Sequence, residues 1–166
     1  MSIEERLKKL ETINQKIVDS YFIVEQYWQV LEPLLFDERV YSTWDNSEGV
    51  VAVKVVRMGL YTSIMIELYA SLFDKGNKVG SLYNLIEGVK DSEVKKQLRK
   101  RFCAPKGTTI VGDHTEDEIE YLQKMFEKDE ISRKEETFDK FYSEVITEYE
   151  KLIKSDLVNN LSYSRF

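Results

Sequence analysis

The chain contains one cysteine, one histidine, two prolines and seven glycines in 166 residues. With Cys103 alone, no intrachain disulfide framework is possible, which predicts a reducing, cytoplasmic setting. One histidine and one cysteine also exclude His-rich and thiolate-rich metal sites within a single chain, and Glu-x-x-His pairs are absent, so we expect no metal and no other cofactor. The scarcity of helix-breaking residues favours an all-α protein over a sandwich or barrel.

The sequence also lacks a secretion signal and a long hydrophobic run. Its first five residues, Met1–Glu5, are acidic and polar, which predicts no signal peptide. The longest charge-free piece of the most apolar segment, Met58–Ile66, is about half of the ~20 residues that a membrane span needs, so we expect no membrane association. A net charge of −6 argues against DNA as the ligand but leaves room for a local basic patch.

Two long amphipathic segments frame the chain. In the first, apolar residues recur every seven positions behind a capping box of Ser2 and Glu5, which predicts a helix of roughly 30 residues ending near Pro33. In the last, one apolar stripe extends over residues 138–153. We predict a single domain over residues 1–166, folded as an antiparallel up-and-down helical bundle with long N- and C-terminal helices. Four aromatic residues of the first helix are expected in its core: Tyr21, Phe22, Tyr27 and Trp28.

The segment Val50–Phe73 is apolar nearly all the way round yet carries Lys54, Arg57 and Glu67. This pattern predicts a helix at the centre of the bundle, where a charge needs a partner, an exposed edge or a function. One interpretation makes Arg57 and Glu67 the polar floor of a small-molecule pocket. The other is that each extends to solvent or pairs with a neighbouring helix.

Shorter helices are predicted between the central and the last helix. Ser81 is expected to cap one of them, Asp91 begins the next, and Thr115 with Glu118 forms a second capping box at the start of the last helix. The helix behind Asp91 ends in five bases within seven residues, which form either a solvated face or a phosphate-contacting patch for RNA. These candidate RNA-binding residues are Lys95, Lys96, Arg99, Lys100 and Arg101.

Candidates for catalysis are few. Arg57 and His114 are the residues with suitable chemistry, although a lone histidine in a polar loop is ordinarily a surface residue. A Ser-His-Asp or Cys-His assembly would have to use His114, and only closeness in sequence places it near Cys103, which disfavours nucleophilic catalysis. Neither a Walker loop nor a dinucleotide-binding fingerprint is present.

The passage from Arg57-Met58-Gly59-Leu60-Tyr61 to Leu72-Phe73-Asp74, followed by Gly80-Ser81-Leu82 and Leu85-Ile86, resembles the AbiU-type branch of the HEPN superfamily. That branch is linked to phage abortive infection, and the resemblance covers about residues 15–100. It implies a helical bundle that is usually a homodimer. Active members cut RNA without metal through an arginine and a histidine that are separated by four to six residues. In that motif the arginine stabilises developing phosphate charge and the histidine transfers a proton.

This sequence departs from that motif. Arg101 and His114, the nearest pair, are separated by twelve residues that include Pro105 and two glycines, so one helix face cannot present both. Either the motif lies beyond Phe166, or the protein is a nuclease-dead module that binds a partner or a nucleotide. We expect a protein of phage defence or of a toxin–antitoxin system with RNA as its ligand. The alternative is a non-catalytic helical interaction or dimerisation protein. The apolar faces of its two long helices would then form the hydrophobic core and the dimer interface.

Overall fold

A computed structural model describes residues 1–45, 47–76, 80–107 and 115–155, without the side chains of Tyr41 and Asp45. Within these ranges the regular structure is entirely helical, which confirms the all-α bundle. The helices are α1 (Ile3–Phe36), α2 (Glu38–Asp45), α3 (Val50–Phe73), α4 (Leu82–Lys90), α5 (Ser92–Cys103) and α6 (Glu116–Lys154). No helix of the described ranges is long and apolar enough to cross a membrane.

The chain forms two compact units, Met1–Val89 and Lys90–Phe166. The first unit contains α1 to α3 and nearly all of α4, and the second contains α5 and α6. Each unit is described by itself below. A single domain over residues 1–166 stays a prediction.

In the first unit, α1 packs along α3 as an antiparallel pair. The capping box is present, since Glu5 N–H donates to Ser2 Oγ at 3.2 Å and Ser2 N–H donates to Glu5 Oε2 at 2.6 Å. Helix α1 continues three residues past Pro33 and ends where Asp37 N–H donates to the Pro33 carbonyl. The predicted end near Pro33 was therefore slightly early, because the helix continues for most of one turn beyond the proline. The buried side chains of this unit are Leu7, Ile13, Leu31, Ile64, Ser71, Ser81 and Ile86.

The prediction of an aromatic core in α1 was largely wrong. Tyr21 is 62% exposed, Phe22 54% and Trp28 43%, whereas Tyr27 is half-buried. Tyr21 and Phe22 contact each other edge to face, with ring centroids 5.7 Å apart. The stripe that packs inward is aliphatic, and the exposed aromatic residues lie beside it on the helix surface.

The connection between α1 and α3 is partly helical. Helix α2 occupies most of it, and α3 begins behind Gly49 without a side-chain cap. Ser47 instead accepts the Val50 N–H with its backbone carbonyl at 3.1 Å. Asn46 lies outside the described residues.

Hydrogen bonds connect the residues at the end of α3 to the start of α4. The fully buried Ser81 hydroxyl donates to the Asp74 carbonyl at 2.5 Å and accepts the Asn84 N–H at 3.3 Å, so the predicted cap is confirmed. The Asn84 side chain donates to the Gly76 carbonyl at 2.9 Å, and Gly76 N–H donates to Asp74 Oδ1 at 2.7 Å. Beyond this turn α4 returns along α1, where Gly88 lies directly against Leu10.

In the second unit, α5 packs antiparallel to α6. Lys90 pairs with Glu150 at 3.7 Å, and the Phe102 and Phe138 rings lie 5.8 Å apart between centroids. Later positions on α5 thus meet earlier positions on α6. Both predicted caps are present, because Asp91 Oδ1 accepts two N–H groups at the start of α5 and Thr115 with Glu118 forms the box that begins α6. Val94, Cys103 and Tyr149 are buried.

Candidate functional site

The basic segment occupies the last two turns of α5. Asp91 fixes the start of this helix by accepting the N–H groups of Glu93 and Val94 at 3.1 Å each. Cations in the last turn of a helix are favoured by the helix dipole. Helix stability alone therefore accounts for some of the basic residues at the end of α5. The buried Val94 side chain sets which face of α5 packs, and hence which bases are directed toward α6.

One row of bases packs against α6. Lys95 Nζ lies 4.1 Å from the centroid of the Tyr142 ring. Four residues later, Arg99 Nη2 lies 3.1 Å from Asp139 Oδ2 and 3.6 Å from Glu135 Oε2. These groups are 40–46% exposed at the ion pairs, so each pair is worth only about 0–1 kcal/mol. Lys95 and Arg99, which we call the inner row, therefore act first as contacts between the two helices.

The other bases of the segment are directed to solvent. Lys96, Lys100 and Arg101 are all exposed. Lys96 and Lys100 are four residues apart and lie on one face of α5, separated by about 6 Å along its axis. The structure therefore divides the five predicted RNA-binding residues into the inner row and an exposed set, Lys96, Lys100 and Arg101, which we call the outer row.

The end of α5 is held by a contact that the sequence did not indicate. Lys134 Nζ donates to the Ala104 carbonyl at 2.9 Å and pairs with Glu130 at 2.6 Å. The Lys134 ammonium, together with the backbone and the charge of Lys106, holds the pKa of the Glu130 carboxyl below its usual range. A lysine at a helix C-terminus satisfies a carbonyl that has no intrahelical partner. In the sequence, the only signal is the four-residue spacing of Glu130 and Lys134, which is typical of an ordinary surface pair on a helix.

The catalytic candidates are not brought together by the described part of the chain. Arg57 and Glu67 are both half-buried and lie on the inward side of α3, in line with Leu60 and Ile64. His114 lies outside the described residues. Among the residues that the structure does describe, no group of three or more His, Cys, Asp or Glu side chains is placed to hold a metal ion.

A second surface is apolar, and sequence reasoning missed it. Helix α3 was predicted at the centre of a bundle, but one side of it is open to solvent. Val51, Val55, Met58 and Ile66 are 62–67% exposed, and Tyr69 is 38% exposed. With the exposed Thr62, these residues form the α3 outer face, which is largely apolar and has the exposed Lys54 at its edge. The only signal for this surface in the sequence was that α3 is apolar nearly all the way round, and we interpreted that pattern as burial of the whole helix.

The chain was also compared with known proteins. A family model, HEPN_AbiU2, described as AbiU2, matches residues 3–165. No curated protein and no solved structure gives a significant match. The match extends well beyond the 15–100 stretch that carried the resemblance, and it includes both amphipathic segments and the basic segment of α5. With an all-α architecture and a family match over almost its whole length, this chain belongs to the AbiU2 family of HEPN proteins.

Proposed function

We propose that this protein acts in phage defence or in a toxin–antitoxin pair, in the cytoplasm, as a homodimer that contacts RNA. Membership of the AbiU2 family supports the defence role. The observation that carries the RNA contact is the outer row of α5, where Lys96, Lys100 and Arg101 are exposed on a chain that is otherwise acidic overall. Clustered cations of this kind bind phosphates by displacing condensed counterions.

The proposal limits what the chain does to that RNA. The arginine–histidine motif of active HEPN proteins does not occur in this sequence, whose one histidine has no arginine five to seven positions before it. Arg57, the other catalytic candidate, is half-buried on the inward side of α3 rather than open to a substrate phosphate. We therefore propose binding of RNA, without cleavage through that motif, as the activity of the described residues.

Binding of a fluorescein-labelled single-stranded RNA tests this proposal. Replacing Lys96 and Lys100 with glutamate is expected to weaken affinity at least about tenfold at low salt. It is also expected to reduce the slope of log K against log salt by about 1.4, since two phosphate contacts to a single strand are lost. Fluorescence anisotropy at several salt concentrations measures both quantities.

The matched control is the double variant Lys8→Glu with Lys9→Glu, which makes the same charge change at two exposed positions of α1. It is expected to keep the wild-type salt dependence, because those residues contact no RNA in the proposal. Equal losses of RNA affinity in the two double variants would show that the effect comes from the net charge of the protein and not from contacts at Lys96 and Lys100. Wild-type protein that binds no RNA would overturn the RNA contact itself.

A specific observation also favours the second candidate, a non-catalytic dimerisation or interaction protein. The α3 outer face is largely apolar and exposed, and monomeric soluble proteins rarely leave a large contiguous apolar surface open. Light scattering across a concentration series tests self-association. A monomer at high micromolar concentration would rule out the homodimer in both candidates.

A further inference from the structure

We propose that a basic amphipathic helix of another protein docks on the exposed side of α1, with its arginines or lysines against Glu25 and Glu32. Three aromatic residues that were predicted for the core, Tyr21, Phe22 and Trp28, lie on this exposed side instead. Docking there is independent of the proposed RNA contact, which involves a different helix.

The spacing on α1 places the two glutamates in the middle of a mostly apolar strip. Each glutamate is three or four residues from its neighbours on both sides, so all of these side chains share one face of the helix. Two rows of exposed residues, each with an interval of seven, flank the glutamates: Tyr21, Trp28 and Leu35 in one row, and Phe22, Gln29 and Phe36 in the other. The two glutamates and the two rows form what we call the α1 acidic face.

The two carboxylates determine the charge of the occupant. Within the described residues, neither Glu25 nor Glu32 forms a hydrogen bond or an ion pair. Helix α1 contains no lysine or arginine from Ile17 to Phe36, so this part of the helix supplies no cation of its own. A wholly apolar partner would bury two unpaired charges, which costs free energy. The occupant therefore carries cations opposite the glutamates and apolar side chains beside them.

The aromatic rings of the face favour the same charge. Tyr21 lies one turn before Glu25, and Trp28 lies one turn before Glu32. The face of an aromatic ring attracts a cation, most strongly for tryptophan, and an arginine that pairs with a carboxylate can also stack on a ring. Carboxylate and ring thus act together on one cation at each of the two positions.

The second unit shows this kind of packing within the protein itself. Helix α5 lies on α6 with Lys95 Nζ 4.1 Å from the centroid of the Tyr142 ring. On the same side, Arg99 Nη2 lies 3.1 Å from Asp139 Oδ2. A basic helix therefore packs on a helix that presents acids and an aromatic ring. The α1 acidic face presents the same combination of groups without such a helix on it.

Charge and length separate a basic helix from other occupants. Two copies that met through this face would bring their glutamates together, and RNA would bring phosphates to them, so like charges would repel in both cases. The row from Tyr21 to Leu35 extends about 21 Å along the helix axis, the length of a partner helix of about 15 residues. Glu25 and Glu32 are about 10 Å apart along that axis, which matches bases two turns apart on such a helix.

A designed peptide tests the proposal. The probe is a fluorescein-labelled helix of about three heptads of leucine and alanine, with one arginine in each heptad between the leucines. We expect the wild-type protein to bind it at micromolar concentrations and low salt, measured by fluorescence anisotropy. A peptide of the same composition with its arginines on the opposite face is expected to bind at least about tenfold more weakly.

Neutral substitutions on the face provide the second test. Glu25→Gln with Glu32→Gln is expected to weaken binding of the arginine peptide about tenfold and to remove most of its dependence on salt, because both ion pairs are lost. The matched control is Asp129→Asn with Glu136→Gln, which removes two exposed carboxylates, also seven residues apart, from α6. It is expected to leave both quantities unchanged.

Tryptophan fluorescence reports where the peptide binds. The chain has two tryptophans, Trp28 on the α1 acidic face and Trp44 on α2, and each is 43% exposed. In Trp44→Phe protein the arginine peptide is expected to shield Trp28 from quenching by acrylamide. In Trp28→Phe protein, quenching of Trp44 is expected to stay the same with and without peptide.

Each of three results would overturn the proposal. The first is wild-type protein that does not bind the arginine peptide at micromolar concentrations, and the second is an equal loss of affinity in the two double variants. The third is peptide binding that leaves Trp28 as open to acrylamide as before. If a glutamine variant alters the fold, which circular dichroism reports, the tryptophan result decides, because both glutamates are intact in that protein.

Discussion

Leu31→Ala is expected to lower the free energy of unfolding by about 2–5 kcal/mol, the largest loss that we predict for a single substitution in this protein. Leu31 is fully buried in the first unit, where α1 packs along α3. Removing its three outer carbon atoms withdraws buried apolar surface and leaves a cavity that neighbouring helices fill only in part. Urea unfolding followed by circular dichroism measures the loss.

The control for this prediction is the same substitution one turn later. Leu35 is 40% exposed near the end of α1, so Leu35→Ala removes much less buried surface and is expected to cost less than about 1 kcal/mol. Both variants must be compared at one protein concentration, because the apparent stability of a protein that self-associates depends on its concentration. Equal losses at the two positions would mean that Leu31 does not lie in the core.

The contrast between these two leucines shows what the sequence could predict about α1. A repeat of seven marks a face that some neighbour covers, and Leu31 lies on it. Tyr21 and Trp28 belong to the same pattern at an offset of four, and they are exposed. Periodicity states which residues share a face, but the width of the covered face depends on the neighbouring helix, which the pattern of α1 alone does not describe.

Local signals were the most reliable ones. The boxes of Ser2 with Glu5 and of Thr115 with Glu118, and the cap at Asp91, appear as predicted, because each involves residues at most three positions apart. Contacts between distant residues had no comparable signal. The bond from Lys134 to the Ala104 carbonyl joins residues thirty positions apart, and nothing in either segment indicates the other.

The basic segment of α5 illustrates the same limit at the candidate site. Composition predicted a patch of five cations, and those five residues are on one short helix. Composition did not predict that α6 presents Glu135, Asp139 and Tyr142 to two of them. The division into inner and outer rows depends on the register between two helices, so only a three-dimensional structure selects Lys96 and Lys100 for mutation.

Ser81→Ala is expected to lower the free energy of unfolding by about 1–3 kcal/mol, a large effect for the loss of one oxygen atom. Ser81 is fully buried, and its hydroxyl both donates to the Asp74 carbonyl and accepts the Asn84 N–H. Alanine supplies neither bond, so two backbone groups in a part-buried turn lose a partner. Thermal and urea unfolding measure the change.

Ser143→Ala is the matched control for that substitution. The Ser143 hydroxyl also donates to a backbone carbonyl, that of Lys140 at 2.8 Å, but the residue is exposed and water replaces the lost bond. Its expected cost is within about 0.5 kcal/mol. A Ser81→Ala protein as stable as the control would show that the buried turn does not depend on the hydroxyl.

The Ser81→Ala variant also tests the role of one residue on which the family resemblance rests. It distinguishes a structural role of Ser81 from a direct contact with RNA. The steps at Asp74 and at Gly80-Ser81-Leu82 are the two ends of the turn from α3 to α4, and the Ser81 hydroxyl joins them. A structural role predicts that folded Ser81→Ala protein keeps wild-type affinity for RNA at low temperature. A variant of normal stability with weakened RNA binding would instead place this serine in the binding surface. Because the hydroxyl is fully buried and used within the turn, we expect the first result.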